Sequence, residues 1–244
     1  LFMLKNKILA TEKKRLSKLG SRFSMRAGFN GRLEKYRILA IKNNLKNGEI
    51  LDVGCADGVM AQALAPHFKY ITAIDGSAEL IAKARKLKLK NVDFICTLFE
   101  EFKPKEKFDS VILSDILEHV SNPVALLRLA RHWLKADGRV VLLCPNANSI
   151  HRQIGVLAGL IKDVHDLNST DKKVGHRRVY DIARLKKDIA KAGLRVKKVG
   201  GMFFKPLAND QMDELDDSVV EAFYQIGKSL PPDYLTEIYV QCGK

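Results

Sequence analysis

LDVGCADG, residues 51–58, closes one short aliphatic run and opens a helical one, and its reading decides the fold. EILDV (49–53) is aliphatic and β-branched and stops at Gly54, which reads as a strand; a helix over about 59–65 follows and ends near Pro66. A glycine-rich turn at that junction lets a ligand approach the backbone, and the helix N-terminus offers free N–H groups. The turn is not the dinucleotide fingerprint G-x-G-x-x-G, because position 56 is alanine. It is not a P-loop either, because no Lys-Ser/Thr follows.

Outward from this turn the same pattern repeats. KYITAID (69–75) reads as a second strand, and Ser77 as the cap of a helix through Leu89, before VDFIC (92–96). FDSVILS (108–114) reads as strand four. Asn122-Pro123 opens a periodic helix, VALLRLARHWLKA, with Leu126, Leu127, Ala130 and Leu134 on one stripe. Asp137-Gly138 then turns the chain into RVVLLC (139–144), strand five. Alternating strands and helices argue for parallel βαβ units, and near-continuous apolar strands for a sheet covered on both faces. The pattern thins after Cys144 to a short helix at 150–161 and a polar loop. It returns as the helix DIARLKKDIAKAG, capped by Gly193, and the strands LRVKKVGGMFF and LTEIYVQC. Residues 206–232 read as a helix and a loop closed by Pro231-Pro232.

Composition sets the outer limits. The chain has 244 residues, 46% hydrophobic and 29% charged, enough for one large core. No apolar run approaches the roughly 20 residues that cross a bilayer, and the N-terminal apolar patches are too interrupted for a secretory signal. Cys55, Cys96, Cys144 and Cys242 are widely spaced, which argues against a disulfide framework or zinc site and fits a cytoplasmic protein. The net charge of +14 is unevenly spread: residues 1–40 carry eleven Lys or Arg against Glu12 and Glu34, whereas 209–221 is acidic. Residues 1–40 read as a basic helical extension and 41–244 as one α/β domain, with insertions at about 146–180 and 206–232. A basic arm attracts nucleic acid or anionic lipid, or is a solvated helix.

Asp75 ends strand two, where an acidic residue accepts both hydroxyls of a ribose. A glycine turn plus a ribose acid, without a pyrophosphate fingerprint, points to a nucleoside ligand lacking phosphates. The order EILDVGCADG, ITAIDGS, FDSVILSDILEHV, LKADGRVVLLCPN closely resembles class I S-adenosylmethionine-dependent methyltransferases, from about residue 32 onward. The resemblance implies an α/β, Rossmann-like seven-stranded sheet, mostly parallel with its last strand antiparallel, and helices on both faces. It implies S-adenosylmethionine as cofactor, with Asp52, Gly54, Cys55 and Gly58 around its methionine part. Asp75 would hold the ribose beside Gly76 and Ser77. Leu98 and Phe99 stand where the family usually has an acidic adenine partner, and Ser114 falls near the reacting methyl.

The acceptor side rests on two stretches. In SDILEHV (114–120), Asp115, Glu118 and His119 share one face if helical. They read as a proton-transfer site at His119, as a metal group needing His151 or His176 besides, or as structural bracing; a catalytic His119 without metal is the expectation carried forward. GHRRVY (175–180) resembles a substrate-side motif of small-molecule members, with His176 as a second catalytic candidate. Asp115, His151, Arg152, Arg177 and Arg178 are the expected substrate contacts, the arginines clamping a carboxylate or phosphate. The expected activity is methyl transfer to a small, anionic acceptor, most simply O-methylation of a sugar or phenol. An RNA methyltransferase using the basic arm is the alternative, weakened by the arm's few aromatics.

Overall fold

In the computed structural model, residues 28–244 are described. The rest of the expected basic extension, residues 1–27, lies outside them. EILDV, YITAID and VDFIC form strands β1 (Glu49–Val53), β2 (Tyr70–Asp75) and β3 (Val92–Cys96), followed by β4 (Phe108–Ser114), β5 (Leu134–Pro145), β6 (Arg195–Met202) and β7 (Glu237–Gly243). They make one sheet in the order β3-β2-β1-β4-β5-β7-β6. β7 is antiparallel to both β5 and β6, and the remaining neighbours are parallel.

The continuous apolar runs are explained by burial on two faces. Leu51, Val53, Val111, Leu113 and Leu142 point to one core, whereas Ile50, Ile112, Val141 and Leu143 point to the other. The first core is covered by α4 (Pro123–Trp133), through Leu126, Leu127, Ala130 and Trp133, and by α7 (Ile182–Lys191), through Leu185 and Ile189. The second is covered by α1 (Gly28–Lys42), α2 (Val59–Leu64) and α3 (Ala78–Arg85). The expected boundary at residue 40 falls inside α1, whose Phe29, Leu33, Tyr36 and Ile41 are buried in this core.

Other boundaries differ for local reasons. α3 stops at Arg85 rather than Leu89, and the chain passes through Lys88 at φ +51°. Asp137-Gly138 does not precede β5 but lies inside it, in a stretch where the register against β4 shifts between Phe108 and Ser110. The first insertion holds α5 (Ile150–Leu157) and, in the expected loop, α6 (Ser169–Val174). Asn168 and Asp171 start α6 with a reciprocal capping box. The second holds α8 (Asn209–Asp213) and α9 (Asp217–Gly227). Among the described residues no helix is long and apolar enough to cross a membrane.

Candidate active site

A cavity of about 720 Å³ opens along the C-terminal ends of β1, β2, β4 and β5, roofed by the two insertions and α1. Ligands of open α/β sheets bind at this edge because the strand-to-helix turns present backbone N–H groups there. Its first wall comes from the β1–α2 turn, where Gly54, Ala56 and Gly58 take left-handed φ values of +78°, +48° and +84°. The φ of Gly54 is what calls for glycine, and a Cβ there would also sit 2.9 Å from the end of the Ile116 side chain.

Asp75 ties this turn to the next. Its Oδ2 accepts from the Ala56 N–H (3.1 Å) and its Oδ1 from the Ser77 N–H (2.7 Å). Burial raises its carboxyl above the ordinary range, with the two N–H groups pulling the other way. Gly76, Ser77, Leu98 and Phe99 continue the wall, and Ser77 also caps α3. Asp52, Cys55 and Gly58 do not line the cavity. Asp52 is buried behind it and pushed up to about 7, by burial first and then by Asp75 and Glu34. The Cys55 thiol is buried in the core, and Gly58 gives way to Phe94, 2.9 Å from where a Cβ would stand. These three shape the turn from beneath.

The opposite wall begins where β4 ends. Ser114, Asp115 at φ +49°, Glu118 and His119 all face the cavity. His119 and His176 lie edge to face with ring centroids 4.7 Å apart. His176 Nδ1 contacts Asp171 Oδ1 at 3.0 Å, and donation to that carboxylate leaves Nε2 with the free lone pair. Asp171 stays ionised: burial raises it, but His176, Arg152 and the Asn168 N–H hold it at about 2.

Residues 25–199 match the methyltransferase-domain family. The chain belongs to the class I S-adenosylmethionine-dependent methyltransferases. A ubiquinone biosynthesis O-methyltransferase of Saccharophagus degradans is 31% identical over 170 residues, 65% of this chain and 68% of that one. One from Xylella fastidiosa is 29% identical over 176 residues, 68% of each. The fold is shared with an S-adenosylmethionine-dependent methyltransferase from Mesorhizobium loti, at a TM-score of 0.62 and 16% identity, over 89% of this chain and all of that one. The cofactor of the methyltransferase is S-adenosylmethionine.

The acceptor side of the methyltransferase differs from the sequence reading. Arg177 and Arg178 do not line the cavity. Arg178 donates to the carbonyls of Leu117 (2.7 Å), Val120 and Ser121, and Arg177 Nε to that of His119 (2.9 Å). They latch the SDILEHV turn to the first insertion, outside the cavity where the sequence reading put them as substrate contacts. A buried hydrogen bond from a charged donor contributes about 1.5–3 kcal/mol, and two of the three acceptors of Arg178 are part-buried, so Arg178→Met is expected to lower stability by roughly 3–6 kcal/mol in urea unfolding. Arg152 lines the cavity, but its guanidinium is occupied by Asp171 Oδ2 (3.1 Å) and the carbonyls of Val164 and Asp166. His151 is a wall residue whose buried Nδ1 has no hydrogen-bond partner among the described residues.

Asp115 separates from Glu118 and His119. It lies 3.4 Å from Arg37 Nε, and is pushed up to about 8 by burial and Glu237, against the pull of Arg37. Glu118, His119 and His176 instead bring ligand atoms within 4.8 Å of one another. Among the described residues neither Glu118 oxygen has a hydrogen-bond partner, although Oε1 lies 4.0 Å from His119 Nε2, and burial, then Asp115, keeps the carboxyl well above its ordinary range. An orphaned carboxylate beside two imidazoles is a donor set that fits a divalent cation.

Sequence reasoning missed the charged network under the acceptor wall. Arg37 donates through Nε to Glu237 (2.9 Å) and reaches Glu34 at 3.4 Å, all three buried. A signal was present: Glu34 and Arg37 share the stripe of α1 that carries Leu33 and Ile41, where a solvated charge does not belong. Lys205, another wall residue, hid inside the apolar run GMFFKPL.

Proposed function

We propose that this methyltransferase O-methylates a small hydroxylated acceptor, of phenolic type, carrying an anionic group. The observation that carries the reading is the His119–His176 pair, stacked edge to face on the cavity wall opposite Asp75. The relatives named as O-methyltransferases of ubiquinone biosynthesis support oxygen as the acceptor atom. When bound, S-adenosylmethionine supplies an activated methyl on a sulfonium. Asp75, Gly76 and Ser77 would position its nucleoside, and Ser114, at the end of β4, lines the same cavity. The histidine pair takes the proton of the acceptor hydroxyl, at His176 Nε2 while Asp171 holds Nδ1–H. The apolar walls at Leu98, Phe99, Ile116 and Val120 keep water from the reacting oxygen.

The orphaned Glu118 carboxylate favours a second reading, in which Glu118, His119 and His176 hold a divalent cation. Such an ion lowers the pKa of a bound hydroxyl. Incubation with S-adenosylmethionine and a panel of phenols, catechols and sugars, followed by mass spectrometry, tests the acceptor class; transfer only to amines would reject it. Metal content and Glu118→Gln separate the two readings. A metal-free enzyme that keeps turnover in the glutamine variant works through the histidines alone. Turnover lost on chelation, restored by Mg²⁺ or Mn²⁺ and absent from Glu118→Gln, assigns the cation.

A further inference from the structure

We propose that Lys205 is the anion-recognition residue of the acceptor site, pairing with a carboxylate or phosphate ester carried on the molecule whose hydroxyl is methylated. This rests on the small-molecule reading above and names the group that selects the acceptor.

Lys205 lines the cavity and is 6% exposed. Its Nζ donates to Asn209 Oδ1 at 2.6 Å, a neutral amide, and among the described residues no carboxylate forms an ion pair with it. Among the described residues the other Lys and Arg of the cavity are spent: Arg37 on Glu237, Glu34 and Asp115, and Arg152 on Asp171 and two carbonyls. An ammonium taken out of water without a counter-charge is costly, and proteins keep such groups where a ligand supplies the partner. Burial accordingly pushes Lys205 down to about 8, the charge of Glu237 only partly opposing it.

The surroundings fix this cation in place. Phe203, two residues earlier, adopts φ +64°, a conformation rarely taken by an aromatic residue. It is locked between the rings of Phe29 (5.7 Å) and Tyr36 (5.1 Å), and its carbonyl accepts from Thr236 N–H. Asn209 is steadied by Asn30 of α1. Beside Lys205, His151 offers its buried, partnerless Nδ1; burial, then Lys205 and Arg152, pushes it down to about 2, so the imidazole stays neutral. A cation and a neutral imidazole whose Nδ1, in the Nδ1–H tautomer, donates suit an oxyanion that brings one charge and several acceptor oxygens.

The test titrates the protein, loaded with S-adenosylhomocysteine, with benzoate, phenyl phosphate and neutral phenol by calorimetry. At least one anion should bind about tenfold more tightly than phenol, and which one does distinguishes carboxylate from phosphate ester. Lys205→Met should erase that preference and leave S-adenosylhomocysteine affinity within about twofold. It should also raise the unfolding midpoint of the ligand-free protein, because an uncompensated buried charge is gone. A preference that survives in Lys205→Met, no preference in the wild type, or a lowered midpoint with anion binding retained would each overturn the assignment. Lys205-dependent anion binding in a protein that methylates no hydroxyl in the acceptor panel would uphold Lys205 and reject the O-methylation reading instead.

Discussion

Asp75→Ala is expected to weaken S-adenosylmethionine binding at least about a hundredfold in calorimetry. Each carboxylate oxygen already accepts one backbone N–H, from Ala56 and Ser77, and each keeps a second lone pair. Two ribose hydroxyls donating there make charge-assisted bonds of about 1.5–3 kcal/mol each, so losing both costs about 3–6 kcal/mol. At 1.4 kcal/mol per decade that is roughly two to four decades of affinity. The loss has a second source. The Ala56 N–H bond holds a residue at φ +48° against its own preference, and without it the turn relaxes out of the shape that faces the cofactor. Asp75→Asn, which keeps one acceptor oxygen, should fall between wild type and alanine. Wild-type affinity in Asp75→Ala would refute the ribose assignment.

His176→Ala is expected to lower kcat by about 10²–10⁴-fold, the usual range for a lost general base, with cofactor affinity within about twofold. The imidazole is oriented by Asp171, itself anchored by Arg152 and by the start of α6, so the ring is held before any acceptor arrives. Asp171→Asn should therefore lower kcat too, by leaving His176 in either tautomer. A fall in cofactor affinity with unchanged kcat would place His176 outside the reaction.

What could be read from the chain was what local chemistry dictates. Gly54 and Gly58 announce a left-handed turn, Ser77 and Asn122 announce helix caps, and strands apolar on both faces announce a covered sheet. The misreadings at charged residues share one cause, which is that a charged side chain does not declare its partner. Arg177 and Arg178 follow a histidine in the acceptor loop, and only the fold shows them reaching back some 60 residues to the carbonyls of the SDILEHV turn. Arg37 and Glu237, 200 positions apart, could be paired only by the fold. The Asp137-Gly138 signal was real but lost to strand pairing, which drew β5 back to Leu134.

The place of β7 in the sheet imposes an order on assembly. β7 follows β6 in sequence yet is wedged between β5 and β6, so during synthesis β6 emerges with no strand to join. Until β7 arrives, β5 keeps an open edge, and Thr236 and Glu237 are missing from the cavity. A nascent chain arrested before residue 236 would therefore present an adhesive β edge and an unfinished pocket, the kind of intermediate that chaperones shield.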